Sequence, residues 1–161
     1  MKSLVIFYSR TGTTKKVAME IARLLKADTE EIIDTKNREG PIGYLLSGRD
    51  ATLRKAARIK KPVKNPSSYD LVIIGTPIWA WNMSAPVRAY LIQAKGRIKK
   101  TAFFCTMGGS GDDRAFSEME MILGKKPAAK LALLTKEVMK GQHIQKEKDF
   151  LKAISLKILK K

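Results

Sequence analysis

Three stretches of this chain are apolar without interruption: LVIFY at residues 4–8, LVIIGT at 71–76 and TAFFCT at 101–106. A strand with one wet face alternates apolar and polar residues, but these runs leave no side for water and must be covered on both faces. That is the pattern of a parallel sheet, whose strands need crossover connections long enough to hold a helix. Segments of helical period stand in the intervals. Val17, Ile21, Leu24 and Leu25 form one stripe, and YLLSGRDATLRKAARI (44–59) reads as a second helix. Pro86 sits in the first turn of a third, where a missing amide hydrogen costs least, ahead of Val87, Tyr90 and Leu91. Phe116, Met119, Ile122 and Leu123 stripe a fourth, capped by Asp112 or Asp113 and ended by Gly124 and Pro127; Phe150, Leu151, Ile154 and Ile158 stripe the last. TEEIID (29–34) is a more exposed second strand and AKLALLT (129–135) a fifth. The expectation is an α/β three-layer sandwich, a five-stranded parallel sheet with helices on both faces. Residues 1–161 read as a single domain, large enough to bury roughly two-thirds of its unfolded surface.

In an open parallel sheet a ligand sits beyond the carboxyl ends of the strands, so the loops after strands one, three and four are the ones that matter. YSRTGTTKKVA (8–18) crowds Ser9, Thr11, Thr13 and Thr14 around Gly12 where a helix begins. Free amide hydrogens and the positive helix end make such a turn a phosphate site, although an ordinary threonine-rich cap has the same composition. No lysine follows the glycine in P-loop fashion and no GxGxxG occurs, which argues against nucleotide-triphosphate and dinucleotide sites. TPIWAWNMSAP (76–86) offers Trp79 and Trp81 to a planar ligand, and TMGGSGDD (106–113) offers backbone amides along a ring edge. One phosphate, one flat ring and one ring edge describe FMN.

At these three loops the sequence resembles the flavodoxins. SRTGTT is similar to the family's phosphate pattern S/T-x-T-G-x-T, and TPIWAW and TMGGSG resemble its two ring loops, in the right order over the full chain. The resemblance implies strand order 2-1-3-4-5 and FMN as cofactor. It places Ser9, Arg10, Thr11, Gly12, Thr13 and Thr14 on the phosphate, Pro77, Ile78, Trp79, Ala80 and Trp81 beside the flavin, and Thr106, Gly108, Gly109 and Ser110 along its edge. It implies an electron-transferring role between redox partners, with an NAD(P)H-dependent oxidoreductase acting on a quinone or similar acceptor as the alternative. Two departures bear on that choice. The third loop has no aromatic residue to cover the ring, and the second has no glycine whose peptide can turn over beside it.

Charge is the third departure, since flavodoxins are usually acidic and this chain has 32 Lys and Arg against 15 Asp and Glu, a formal +17. A positive field should favour a negatively charged reduced flavin and attract an acidic redox-partner protein. It also suits anionic membrane surfaces, whereas the basic residues do not interleave with aromatics as in a nucleic-acid reader, so no specific nucleic-acid role is expected. Met1 and Lys2 lead into an apolar run far shorter than the ~20 residues of a membrane span, and there is one cysteine, Cys105, so a cytoplasmic protein is expected. His143, the only histidine, lies in the polar stretch KGQHIQKEK and reads as a solvated loop residue. No catalytic acid or base stands out, and no metal-ligand spacing of Cys, His and carboxylates is visible.

Overall fold

The apolar runs become the buried strands of one sheet. The structure, a computed structural model, describes residues 1–159. Its elements run β1 (Ser3–Phe7), α1 (Thr13–Leu25), β2 (Asp28–Glu31), α2 (Gly40–Thr52), β3 (Leu71–Trp79), β4 (Asn82–Met83), α3 (Ala85–Ala94), β5 (Thr101–Met107), α4 (Asp112–Leu123), β6 (Lys130–Leu134), α5 (Thr135–Met139) and α6 (Ile144–Leu159), with a 3-10 turn at Pro66–Ser68. The sheet order is β2-β1-β3-β5-β6, all parallel, with the two-residue β4 antiparallel on β3. Counting only parallel strands, this is the expected order 2-1-3-4-5.

Because side chains alternate along a strand, the continuous runs split between two cores. Leu4, Ile6, Val72, Ile74, Phe103 and Cys105 join Val87, Tyr90, Leu91, Phe116 and Met119 of α3 and α4 on one face. Val5, Phe7, Leu71, Ile73, Ala102 and Phe104 meet Val17, Ala18 and Ile21 of α1 and Phe150 and Ile154 of α6 on the other. At the centre, Gly75 lacks a side chain because the ring of Phe104 fills that space; a Cβ there would lie 2.0 Å from its Cζ. Cys105 is fully buried, and burial pushes its thiol well above the usual range, as befits a small hydrophobe.

Several boundaries differ from the sequence expectation for physical reasons. β2 ends at Glu31, and Ile32 turns into the core while Ile33 stays exposed. α2 occupies 40–52 and not 44–59, because Gly40 and Pro41 open it while Arg54 takes a positive φ just beyond its end. Gly111, not an aspartate, is the N-cap of α4; Asp112 and Asp113 occupy its first turn, where carboxylates oppose the helix dipole. α5 was not foreseen, and neither was β4.

The clearest correction concerns His143. It is 1% exposed, not solvated, and its Nε2 lies 2.6 Å from Glu20 Oε2. The polar letters around it are the outward side of a turn whose inward side packs on α1.

Candidate functional site

The segments that follow β3 and β5 meet α2 at one groove of about 620 Å³, lined by Tyr44, Leu45, Ser47, Gly48 and Arg49 of α2, by Ile78–Trp81, and by Gly109 and Ser110, with the first loop standing beside it. Each wall follows from local sequence. At the first loop Gly12 takes φ 93°, and its amide donates to Ser9 Oγ at 3.1 Å. No side chain caps α1, so the amides of its first turn stay free to meet an anion. Both lysines of that turn point elsewhere: Lys15 Nζ bonds Glu31 Oε2 at 2.8 Å and Lys16 Nζ bonds the Val138 carbonyl at 3.1 Å. Arg10 is the loop's own cation, and its guanidinium stands 5.3 Å from the centre of the Tyr44 ring.

Thr14 and Thr106 lie deeper than the resemblance implies. Both are buried, with their hydroxyl oxygens 2.8 Å apart, so they pin the first loop to β5 from beneath. In the rest of the loop, Thr11 and Gly12 are exposed and Ser9, Arg10 and Thr13 are half-buried.

The second ring segment is not a loop. Thr76–Trp79 continue β3, with Pro77 opposite Thr106 on β5, and the chain reverses at Ala80–Trp81 into β4, with Ile78 opposite Met83 and Trp79 opposite Asn82. Ala80 (φ 45°) and Trp81 (φ 60°) both adopt the left-handed conformation that a two-residue hairpin of type I′ demands. Neither is glycine or asparagine, so the turn stores strain of order 1–2 kcal/mol per residue. The two tryptophans separate here. Trp79 is buried, edge-on to Tyr8 with ring centres 5.5 Å apart and with the Arg38 guanidinium 5.4 Å from its ring. Trp81 is 63% exposed, and its Nε1 donates to Ser110 Oγ at 3.2 Å. The indole offered to a ligand is therefore that of Trp81, held against the third loop.

Gly111, read from the sequence only as part of the amide-rich third loop, has a packing role that the sequence did not show. It takes φ 115°, and a Cβ there would lie 2.6 Å from Trp81 Cα and 3.0 Å from Ile78 Cγ2. Its bare backbone lets the third loop rest directly on the hairpin. Gly108 and Gly109 have open space around them.

Beneath the groove, Arg38 is buried between Asp34 and Asp50, donating to Asp50 Oδ2 at 3.0 Å. Burial alone would raise the Asp50 pKa, but hydrogen bonds from Arg38 and Arg49 outweigh it and hold the carboxyl below its usual range. Tyr8 is pushed up to about 12, by burial first and then by Asp34, so its phenol is a neutral member of the floor.

An open parallel sheet with helices on both faces, and with its groove at the carboxyl ends beside the first strand, defines a doubly wound α/β protein. The strand order and loop positions together make it a flavodoxin-like fold. Solved structures with this fold include a flavoprotein in complex with FMN from Lactobacillus acidophilus NCFM (22% identity, TM-score 0.67, covering 86% of this chain and 97% of that one). An NADH:FMN oxidoreductase in its apo form aligns over 99% of this chain and 90% of its own, at 19% identity and TM-score 0.59. A flavodoxin from the domain Archaea aligns over 96% and 99%, at 17% identity and TM-score 0.54. No protein-family model and no curated protein sequence matches the chain. Among the described residues no helix is long and apolar enough to cross a membrane.

Proposed function

We propose that this chain binds FMN in the groove and transfers electrons through it. The observation that carries the reading is the uncapped N-terminus of α1, whose loop reaches the groove residue Tyr44 through Arg10, together with the exposed indole of Trp81 in the groove wall. The residues fit the cofactor. Ser9, Thr11, Gly12 and Thr13 with the first amides of α1 hold its phosphate, assisted by Arg10; Thr14 fixes that loop from below through Thr106. Ile78, Ala80 and Trp81 line one side of the ring and Gly108, Gly109 and Ser110 its edge, while Pro77 and Trp79 build the rigid strand behind them. FMN, when bound, supplies one- and two-electron redox chemistry. The chain supplies position, water exclusion and a positive field that favours reduction.

Whether the electrons come from a protein or from NAD(P)H divides this proposal in two. The +17 charge suits docking to an acidic redox protein in the cytoplasm. The reductase reading has its own support: the third loop ends at exposed Gly108–Ser110 with no aromatic cover, so the groove stays open to a second planar reactant. An anionic membrane surface carrying a quinone acceptor would suit the same charge.

The first test is titration of the purified chain with FMN, followed by flavin fluorescence. Saturable one-to-one binding that weakens in Trp81→Ala and Gly12→Ala is expected, and failure to bind would overturn the reading. Anaerobic mixing of the loaded protein with NADH or NADPH then decides the donor. Flavin bleaching within the mixing experiment identifies a reductase; bleaching only by dithionite or a partner reductase identifies a carrier.

A further inference from the structure

On the face of the sheet away from the groove's outer wall, three ligating groups meet between the first and last helices. Glu20 comes from α1 and Glu147 from the first turn of α6, and His143 immediately precedes α6, with the Glu147 amide bonded to the His143 carbonyl at 3.1 Å. That helical turn puts His143 and Glu147 on the same side, four residues apart. One donor atom from each of the three lies within 4.8 Å of the others. His143 Nε2 stands 2.6 Å from Glu20 Oε2 and 3.6 Å from Glu147 Oε1.

The group that demands an explanation is Glu147. Its side chain is 2% exposed, it faces the imidazole, and its Oε1 has no hydrogen-bond partner among the described residues. A buried polar oxygen left without a hydrogen bond costs free energy, so a carboxyl group placed this way calls for a partner. Among the described residues no lysine or arginine forms an ion pair with Glu20 or Glu147. Lys16 is used on the Val138 carbonyl and Lys146 on Glu137, and Arg23, whose charge reaches Glu147, makes no ion pair with it.

We propose that Glu20, His143 and Glu147 form a binding site for a divalent transition-metal cation of the Zn²⁺ class, which ties α6 to α1. One imidazole nitrogen with two carboxylate oxygens is a donor set such cations take, with metal–ligand distances of about 2.0–2.2 Å. Tetrahedral placement at those lengths separates ligand atoms by roughly 3.4 Å. The 3.6 Å between Nε2 and Glu147 Oε1 already matches this. The 2.6 Å contact to Glu20 is a hydrogen bond that the ion replaces as the carboxylate backs away, which its 30% exposed side chain has room to do. The same exposed side leaves a fourth position for water. Binding would join the helix that opens at the phosphate loop to the last helix of the chain, and so act on stability without touching the groove.

The experiment uses the full chain stripped with a chelator, titrated with ZnCl₂ alone and followed by calorimetry and by thermal unfolding. One equivalent should bind and raise Tm, and Glu147→Gln, which keeps the shape of the side chain, should lose ~10-fold or more in affinity. Glu20→Gln, at the exposed side where folding is least at risk, should do the same. MgCl₂, which prefers all-oxygen ligand sets, should leave Tm unchanged. The proposal is overturned by no Tm rise with Zn²⁺, by equal affinity in the wild type and both variants, or by an equal response to Mg²⁺.

Discussion

Substituting Gly111 by alanine tests the contact on which the groove depends. The new methyl would stand 2.6 Å from Trp81 Cα, a backbone atom that cannot swing aside, and 3.0 Å from Ile78 Cγ2. Forcing an added carbon into a filled space costs about 1–3 kcal/mol. The φ of 115° adds a second cost, since a residue with a Cβ resists the left half of the map by about 1–2 kcal/mol. Together the loss is about 2–5 kcal/mol, a large part of the ~5–15 kcal/mol that holds a domain folded. In urea unfolding with a slope near ~2 kcal/mol/M, the midpoint should fall by about 1–2.5 M with the slope unchanged. Gly108→Ala is the internal control: nothing lies within 4 Å of its added carbon and its φ is not positive, so it should stay within ~0.5 kcal/mol of wild type. Because the clash separates the third loop from Trp81, FMN affinity should fall in Gly111→Ala beyond the stability loss. If the two alanine variants unfold at the same denaturant concentration, the packing argument is wrong.

Other perturbations test other parts of the molecule. Ala80→Gly should relieve left-handed strain of about 1–2 kcal/mol against an unfolded-state entropy cost of about 0.4–1, for a small net gain in Tm; clear destabilisation would show that the turn is not strained. Glu118 accepts from buried Arg88 at 2.7 Å and from Arg54 at 2.9 Å. Glu118→Ala should therefore cost about 3–5 kcal/mol by stranding Arg88, while Arg54→Ala, at a side chain 56% exposed, should cost no more than ~1; equal losses in chemical denaturation would refute the distinction. Burial first and then Asp34 push the Tyr8 phenol up to about 12 in the folded chain, against an ordinary 10. The folded state holds this proton more tightly, so its contribution is complete below pH 10 and is lost as the pH rises to 12. Stability of Tyr8→Phe should fall less steeply across that window, and an unchanged slope would argue against the burial.

What could be read from the sequence was what repeats or crowds. Runs such as LVIFY and TAFFCT have no polar face, so burial on both sides followed directly, and the loops could be placed by counting from strand ends. Ala80–Trp81 could not be read, because turn chemistry expects glycine or asparagine there and the hairpin is imposed by packing on Gly111 and by pairing with β4. Trp79 and Trp81 look alike as letters, and only the alternation of β3 and its reversal send one inward against Tyr8 and leave the other outside. His143 was hidden for a similar reason. Its neighbours are polar, and the signal that could have found it was a glutamate four residues on, at the start of a helix.

The outer wall of the groove has a composition that bears on motion. The inward face of α2 consists of Gly43, Ser47, Asp50 and Ala51, while Ile42, Tyr44 and Leu45 face water. Gly43 is close enough to the Arg38 backbone that a Cβ would sit 2.2 Å from its carbonyl carbon, so the helix is seated by fit and by the Arg38–Asp50 ion pair, not by buried apolar area. An element seated in this way contributes little to the cooperative core and opens at lower free energy than the strands beside it. The wall over the groove can lift while the sheet stays intact, so a planar ligand has a route in and out that does not require unfolding the floor on which it lies.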